Sequence, residues 1–334
     1  LIAIMLGLAV TLYFGVVLPK TRNAELDRWQ RELSLNADLR DSAIEAWLGD
    51  QAKDARAVAK FPSVISLLDG RPEDGGKGQL SEILSDLARE HSFDAVLVMN
   101  AKGVLISASN GTVDALDPAW TDIAIRTAHQ GTSTITLCDF HGRPIIVVSA
   151  PVGRGVDAGK MIGSALVLIN ARSWLYPFLQ VQPVPMASAE SLLVEAEGSR
   201  VRFISPLLHS SQRPGLLRLP QSTTGLAATA AIEGREEFSR FVDYRGVPIL
   251  AVTRTIADSG WRLVVKVDEA EVQAEVETDA RPIGIGLLLG GTLLGVGIAL
   301  GFRWQGRIER RATRATRELL RTIVVKAPAS IHAI

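Results

Sequence analysis

Two long runs of apolar residues without a charged side chain stand near the ends of the sequence, at 1–18 and 282–302. A helix that crosses a bilayer needs about 20 apolar residues, so the second run predicts a transmembrane helix. The first run predicts another span that is not cleaved, with a cleaved signal peptide or a buried core helix as the alternatives. The stretch LPKTRNAEL that follows lacks the small-x-small pattern of a cleavage site, which favours the anchor.

Apolar residues recur at helical spacing in the segment 20–61, which has no proline and only one glycine, Gly49. The apolar positions are Leu26, Trp29, Leu33, Ala37, Ile44, Trp47, Leu48, Ala55, Val58 and Ala59, with a polar break at Arg40 and Asp41. They predict one helix over 19–61, about 60 Å long at 1.5 Å per residue. Because this length exceeds one small domain, we expect the helix to run along two stacked modules.

The hydrophobic period changes to two after residue 93, as expected for strands. Strand patterns cover 94–109 around a turn at 101–103, 132–152 around a turn at His141 and Gly142, and 161–170. A short helix over 117–131 lies between the first two, with Asp117 at its start and Pro118 in its first turn. The segment 71–78 is predicted as a loop and 79–91 as a helix. The predicted order is therefore two strands, a helix and three strands.

The same order of elements returns further along the chain. Strand patterns at 191–206, 237–256 and 261–268 surround a helix pattern at 226–234. The clearest match is between CDFHGRPIIVV, which starts at Cys138, and VDYRGVPILAV, which starts at Val242 and predicts a hairpin turned at Arg245 and Gly246. Each copy predicts an antiparallel sheet of about five strands with helices on one face, so the fold class is α+β with two tandem modules.

Charge indicates which side of the membrane each segment occupies. The chain has 36 basic and 36 acidic residues, yet 303–334 holds eight Lys or Arg and only two acids. Positive segments beside a span stay in the cytoplasm, so this tail is expected inside and 19–281 in the periplasm of a bacterium. Cys138 is the single cysteine, so no internal disulfide can form.

The order of elements, the long helix and the flanking spans resemble the double Cache (extracellular PAS-like) sensor family. The resemblance covers 19–281 and includes D-x-x-G-x-P at 139–144 and WRLVVKVDEAE at 261–271. The segment looks most like the sensor portion of membrane-bound, PAS-containing bacterial histidine kinases. The resemblance implies a membrane-distal Cache module at 62–182 that binds a small molecule and a membrane-proximal module at 183–281 that relays the change.

Seven residues of the distal module form the candidate ligand-binding set, because the predicted topology brings them near a pocket between sheet and helix: Trp120, Arg126, His129, Asp139, His141, Ser149 and Asn170. Arg126 could clamp a carboxylate and Trp120 could form an apolar wall; a solvated Arg126 and a core Trp120 are the alternatives. Family members that bind amino acids or amines carry R-x-W-Y and a terminal Asp that clasps the ammonium group of the ligand. Here that motif is missing and Asn170 stands at the strand end, so a carboxylate or neutral metabolite is expected rather than an amine.

The sequence carries no clear catalytic, metal or nucleotide signature. GRGVDAGKM at 153–161 departs from a phosphate loop, because Met161 follows Lys160 where Ser or Thr is needed. The five histidines lack metal-ligand spacing, and neither a nucleophile elbow nor HExxH occurs. We therefore expect no enzyme activity in this chain, no cofactor, no metal and no nucleic-acid partner.

Glycines in the second apolar run mark a candidate dimer seam: Gly286, Gly290, Gly291, Gly295, Gly297 and Gly301. Beyond the run, Ile308, Ala312, Ala315, Leu319 and Thr322 follow steps of four and three, as in the start of a signalling coiled coil. A basic helix lying on anionic membrane lipid is the alternative for this cytoplasmic segment. We expect a homodimer in the bacterial inner membrane.

Together these patterns predict the input half of a transmembrane signal-transduction receptor. The output is expected to be a histidine kinase of a two-component system that is absent from this chain, because no histidine box or nucleotide-binding glycines follow Leu320. The sensor of a diguanylate cyclase or chemoreceptor, a non-catalytic membrane adaptor and a tethered hydrolase are the alternatives. The missing nucleophile disfavours the hydrolase.

Overall fold

The computed structural model describes residues 7, 10–71, 76–109, 116–154 and 160–326. The chain divides into two compact units. One is Arg28–Val272, which contains both sheets; the other is formed by the residues that flank it on either side.

Helix α1 spans Leu18–Ala59, 42 residues, after a π-helical turn at Tyr13–Val17. It confirms the long helix that the apolar spacing predicts. The apolar positions Trp29, Leu33 and Ile44 are fully buried, as a helix packed along a folded unit requires.

The polar break in the pattern of α1 is also buried. Arg40 is only 7% exposed, and its guanidinium donates to the backbone oxygens of Phe178 at 2.9 Å and Val181 at 2.6 Å. These two residues belong to the segment between the two sheets. Arg40 therefore fastens that segment to α1 at the position where the sequence shows only an interrupted apolar stripe.

Helices α2 (Pro62–Leu68) and α3 (Gly76–Glu90) lead into the first sheet. The elements that follow are β1 (Ala95–Asn100), β2 (Leu105–Ala108), α4 (Pro118–Gln130), β3 (Thr134–Phe140), β4 (Arg143–Gly153) and β5 (Met161–Asn170). All strands pair antiparallel, in the order β2-β1-β5-β4-β3, which leaves β3 at one edge. We call α2 to β5 the first module. Its order is as predicted, except that α3 begins within the segment expected to be a loop.

Helices cover both faces of the first sheet. Val96, Leu97, Val98 and Met99 of β1 are all fully buried, although successive side chains of a strand point to opposite faces. Leu97 and Met99 pack with Trp120 of α4, while α3 also contacts β1 and β2. In the first module the helices therefore lie on both faces and not on one as predicted, because the N-terminal helices supply the second cover.

Helix α5 (Leu175–Gln180) connects the first module to the second sheet. The second sheet and its helix comprise β6 (Glu190–Glu197), β7 (Arg200–Phe203), β8 (Arg218–Pro220), α6 (Ala227–Ile232), β9 (Phe238–Val242), β10 (Pro248–Thr255) and β11 (Trp261–Asp268). The strand order is β8-β7-β6-β11-β10-β9. We call β6 to β11 the second module. The edge strand β8 has three residues, and the sequence pattern did not predict it.

The two copies of the hairpin sequence fold into different turns. His141 and Gly142 alone join β3 to β4, with φ of 51° and 81°. Between β9 and β10, Val242 pairs with Pro248, so five residues, 243–247, form the loop. The second turn is therefore longer than the tight turn that the repeated sequence predicts.

Helix α7 (Glu269–Lys326) follows β11 directly. Among the described residues, one helical segment, Pro282–Gln305, has the length and apolar composition needed to cross a bilayer, with a mean hydropathy of 2.2. It contains the run predicted as the second span. The predicted first span, 1–18, lies partly outside the described residues, as does the end of the predicted tail.

The candidate seam glycines occupy two faces of α7. Gly286, Gly290, Gly297 and Gly301 share one face by their spacing of four, seven and four, and a Cβ at each would meet no atom within 4 Å. Gly291 and Gly295 lie on a different face, and Gly295 is buried. A seam would therefore use four of the six glycines.

Candidate functional site

A wide cleft of about 600 Å³ lies beside α4 and the edge strand β3, with residues of the second module on its far wall. We call it the α4–β3 cleft. Its charged lining residues are Asp117, Asp122, Arg126, Asp139, Glu197 and Arg202. Two of them, Arg126 and Asp139, belong to the predicted ligand-binding set, and both are exposed. The cleft presents both signs of charge to a ligand.

Local sequence signals orient both of these side chains. Helix α4 begins at Asp117, whose carboxylate accepts from the backbone N–H of Ala119 at 2.8 Å, and Pro118 occupies its first position. Asp139 stands just before the β3–β4 turn, and its Oδ1 accepts from the backbone N–H of Gly142 at 2.6 Å. Arg126 is thus carried on a capped helix and Asp139 on a fixed turn.

Trp120 lies in the core of the first module. It is 2% exposed and packs against Phe140 with the ring centroids 4.5 Å apart. Ile123 and Leu168 belong to the same buried cluster between α4 and the sheet. Apolar side chains therefore occupy the space in which the sequence predicted an apolar pocket wall.

Ser149 is fully buried inside a small hydroxyl network. Its Oγ lies 2.6 Å from Thr127 Oγ1 and 2.8 Å from Thr134 Oγ1. The network links α4 to β3 and β4 and satisfies the polar groups that burial takes from water. It holds α4 against the sheet.

The remaining three predicted residues lie at turns or helix ends. His129 is exposed in the last turn of α4, and His141 is exposed in the β3–β4 turn with its ring against Phe140. Asn170 Oδ1 accepts from the backbone N–H of Arg172 at 3.0 Å and so organises the turn after β5. The structure brings Arg126 and Asp139 to one cleft and leaves the other five elsewhere.

Strand β3 forms a junction between the two modules. Arg202 of β7 donates to the backbone oxygen of Leu137 at 3.1 Å and is paired with the Glu195 carboxylate. Burial, and then the charge of Asp117, raise the pKa of the neighbouring Cys138 thiol to about 11. A thiol with this pKa stays protonated at neutral pH and is a poor nucleophile.

The second module contains a buried charged cluster that the sequence analysis missed. Lys266 of β11 has no exposed surface, and its Nζ lies 3.0 Å from Glu190 Oε2 and 3.2 Å from Asp243 Oδ2. Arg245 extends the cluster, with Nε 2.6 Å from Asp243 Oδ2 and Nη2 2.5 Å from Asp268 Oδ1. The only sequence signal was a lysine in the apolar strand pattern WRLVVKVD.

Burial raises the pKa of Asp243, but the Arg245 hydrogen bond and the Lys266 charge outweigh burial, so the pKa lies below its ordinary value. The Asp243 carboxylate next to Lys266 is thus held as an anion. A cavity of about 10 Å³ beside the cluster is too small for an organic ligand. The described residues contain no group of three or more His, Cys, Asp or Glu that could hold a metal ion.

Neither a protein-family model nor a curated protein sequence matches the chain. Solved structures do match. The extracellular domain of mmHK1S-Z2, described as a histidine kinase, has 13% identity and a TM-score of 0.56, covering 73% of this chain and 98% of that one. The ligand-binding domain of the Campylobacter jejuni chemoreceptor Tlp3, in complex with L-valine, has 13% identity and a TM-score of 0.53, covering 76% and 98%.

The ligand-binding domain of the Pseudomonas fluorescens chemoreceptor CtaA, in complex with L-leucine, has 17% identity and a TM-score of 0.52, covering 75% of this chain and 97% of that one. At these identities the likeness concerns the fold. Together with the two tandem sheets and the long helix α1, it establishes that this chain has the fold of extracellular double Cache sensor domains.

Proposed function

We propose that the chain is the input portion of a transmembrane receptor whose extracytoplasmic double Cache region senses a small molecule. The observation that carries the proposal is the direct passage from β11, a central strand of the second sheet, into α7, which includes the apolar segment Pro282–Gln305. No loop separates the strand from the helix, so a shift of the strand is passed to the helix that follows it.

In this proposal the regions keep the boundaries expected from the sequence. Residues 62–182 bind the ligand, 183–281 relay the change, and 19–61 form the helix that accompanies both in the periplasm. Two spans, 1–18 and 282–302, hold the protein in the bacterial inner membrane, with 303–334 in the cytoplasm. For a signal to pass, the ligand must bind two states of the receptor with different affinity.

We propose a carboxylate or neutral metabolite as ligand in preference to an amine. Asn170 stands at the end of β5, where its amide cannot neutralise an ammonium group, and Arg126 is an exposed guanidinium in the lining of the α4–β3 cleft. The chemoreceptor structures named above hold L-valine and L-leucine, which carry both a carboxylate and an amine. The acidic residues of the cleft could pair with the ammonium group of such a zwitterion. Binding of a zwitterion would therefore be the result contrary to this preference.

The test is a thermal-shift screen of the full chain in lipid nanodiscs against carboxylates, sugars and amines. A ligand at about 100 times its Kd stabilises the folded state by about 2.7 kcal/mol, which raises Tm by roughly 5 °C or more. Arg126→Ala should remove the shift, whereas Arg143→Ala, an exposed arginine outside this cleft, should keep it. A shift with amines alone would contradict the ligand class, and turnover of the compound would favour the hydrolase.

The proposed output is a histidine kinase, with a diguanylate cyclase, a chemoreceptor and a non-catalytic adaptor as the alternatives. The fold is common to the kinase and chemoreceptor domains named above, so it supports a receptor without choosing the output. Sequencing the gene beyond residue 334 is the direct test. A histidine box with an ATP-binding domain supports the kinase, and a cyclase or methyl-accepting segment supports the corresponding alternative.

We further propose that the receptor is a homodimer that packs along the four glycines on one face of α7. Replacing Gly290 by Ile places a branched side chain on that face and should weaken dimers detected by cross-linking in membranes. Gly291→Ile, the same change on another face of α7, is the matched control. Equal dimer yields for both variants would contradict the seam.

A further inference from the structure

A second, narrower cavity of about 120 Å³ lies at the junction of the two modules. We call it the junction cavity. On one side are Leu137 to Asp139, Gly142 and Pro144 of the β3–β4 hairpin, together with Arg172 after β5; on the other side are Arg202, Arg213 to Leu216 and Arg218 of the second module. We propose that this cavity binds a small oxyanion, either a short carboxylate or a phosphate, and that Arg172 and Arg213 hold it.

Two of the four arginines that line the junction cavity are already neutralised. Arg202 is paired with Glu195. Arg218 is paired with Glu197 and also donates to the backbone oxygen of Gly215 at 2.9 Å. The hydrogen bond from Arg218 to Glu197 raises the pKa of Arg218 and lowers that of Glu197. These pairs form the walls and leave little charge for a ligand.

The other two arginines have no carboxylate partner among the described residues. The Arg172 guanidinium makes one long hydrogen bond among the described residues, from Nη2 to the backbone oxygen of Gly142 at 3.3 Å. The Arg213 side chain has no hydrogen bond or ion pair in the described part of the chain, although its backbone oxygen accepts from the N–H of Leu216. Its Nη1 would lie 2.8 Å from a Cβ added at Gly142. A guanidinium has five donors, so both side chains keep free N–H groups at the same turn.

The cavity contains one acid that opposes an anion. Asp139 is in its lining, but its Oδ1 already accepts from the backbone N–H of Gly142. With Arg202 and Arg218 paired, Arg172 and Arg213 outnumber Asp139 by one positive charge. A singly charged oxyanion cancels this excess, and a doubly charged one matches the two guanidiniums themselves. An amine would add to the positive charge, and a neutral compound would leave both guanidiniums unpaired.

The volume limits the size of the ligand. At about 120 Å³ the cavity is well below the roughly 300–1,000 Å³ of pockets for drug-sized ligands, so it suits a small ion. Acetate, malonate and phosphate are on this scale, and a nucleotide is not. Guanidinium groups bind carboxylate and phosphate oxygens through paired N–H donors, which is the chemistry that two converging arginines offer.

Arg172 and Arg213 belong to different modules, so one bound anion would join them. Binding would favour the arrangement in which the β3–β4 turn lies close to the loop that carries Arg213. The site therefore deepens the proposed sensor function by adding a ligand contact on the route between the modules. Only this signalling consequence rests on the proposed function; anion binding itself does not.

The experiment is isothermal titration calorimetry on the full chain in phosphatidylcholine nanodiscs, at fixed ionic strength, with malonate, acetate, phosphate and methylammonium chloride as probes. We expect saturable binding of at least one oxyanion and none of methylammonium. Arg172→Ala and Arg213→Ala should each weaken binding at least about tenfold, because each removes a charge-assisted hydrogen bond. The arms with carboxylate and phosphate identify which oxyanion is preferred.

Arg143→Ala and Arg200→Ala are the matched controls, since both are exposed arginines of the same hairpin regions outside the cavity lining. Both should bind as the unchanged chain does. If the controls bind the oxyanion as weakly as Arg172→Ala and Arg213→Ala do, the effect is general charge screening and the site is overturned. An unchanged affinity in Arg172→Ala and Arg213→Ala would overturn it as well. Arg172 and Arg213 are both exposed, so their alanine variants should keep the Tm of the unchanged chain without ligand. If either variant loses stability, Arg172→Lys and Arg213→Lys are variants that keep the charge.

The outcome also separates this site from the proposed function. A ligand-induced thermal shift that persists in Arg172→Ala and Arg213→Ala, with no oxyanion binding, would retain the sensor and remove the junction site. Oxyanion binding that depends on both arginines, together with an unchanged response in Arg126→Ala, would establish the junction site and overturn the α4–β3 cleft as the sensing site.

Discussion

The two modules share a hairpin sequence but differ in what surrounds it. In the first module Asp139 is exposed. At an offset of 98 residues, Leu168 and Asn170 of β5 correspond to Lys266 and Asp268 of the second module. In the second module Asp243 is 5% exposed and faces Lys266 and Arg245. One copy thus builds a surface turn beside an apolar core, and the other builds a buried ionic cluster.

This difference shows that a duplicated turn can acquire opposite electrostatic roles. A carboxylate on a surface turn needs only one local hydrogen bond and is free to face a ligand. A buried carboxylate must be paired, because its charge has lost contact with water. We therefore expect the second module to tolerate changes at its turn less well than the first.

The largest effect is expected from Lys266→Met, which removes the cation and leaves Glu190 and Asp243 buried. Breaking a buried ion pair from one side costs about 3–5 kcal/mol of unfolding free energy. Leu168→Met at the corresponding strand position of the first module should cost about 1 kcal/mol or less. Urea unfolding of the full chain measures both, and equal losses would remove the contrast between the modules.

A smaller effect is expected from neutralising the turn carboxylates. Asp243→Asn removes the charge that accepts from Arg245 and faces Lys266, and it should cost about 2–3 kcal/mol. Asp139→Asn should cost less than about 1 kcal/mol, because the side chain is exposed and the amide oxygen can still accept from Gly142. The comparison fails if Asp139→Asn is the more harmful change under the same unfolding conditions.

Acid should weaken the second module before the first. The pKa of Glu271 is lowered, since hydrogen bonds from Ser188 and from the backbone N–H of Ala187 outweigh burial, and the pKa of Asp243 is lowered as described above. Groups with depressed pKa values stabilise the fold above their unfolded pKa of about 4 and lose that stability as pH falls further. Hydrogen exchange resolved by module should show β6 to β11 opening first below about pH 4.

The smallest effect concerns the contact of α1 with the second module. Burial and the nearby Glu45 and Glu236 charges raise the pKa of Asp41 to about 6. A raised carboxyl pKa gives stability that is present below the unfolded pKa of about 4 and is lost as pH rises through 6. Asp41→Asn should reduce the change of Tm between pH 4 and 7. It should not alter the loss of Tm below about pH 4 that we expect from protonation of Asp243. A Tm profile identical to that of the unchanged chain would contradict the role of Asp41.

Local signals in the sequence were sufficient for most elements. The spacing of apolar residues determined α1, because a helix that packs along a folded unit must repeat its buried face every three to four residues. Asp117 with Pro118 determined the start of α4, and His141 with Gly142 determined a two-residue turn, because each pair favours the local backbone conformation itself. The apolar run at 282–302 determined the segment able to cross a bilayer.

Contacts between distant residues decided the rest. The turn after Val242 is longer than the two-residue turn that its sequence predicts. The backbone N–H of Asp243 still donates to Val247 in the strand register, and the Asp243 carboxylate pairs with Arg245 and Lys266 inside the second module. Trp120 lies in the core because Phe140 meets it there. Strand β8 is three residues long and exists only as a partner of β7. No local pattern specifies such pairings, since each depends on groups brought together by the whole fold.

The junction cavity is the clearest case. Arg172 and Arg213 stand 41 positions apart in the sequence, in segments that look like ordinary polar turns. Only the docking of the β3–β4 hairpin on the second module brings both guanidiniums to Gly142. By itself the sequence determined most elements and their order, because these depend on local periodicity and turn chemistry. The tertiary structure alone decided which charges became buried, paired or free, because these depend on packing between elements.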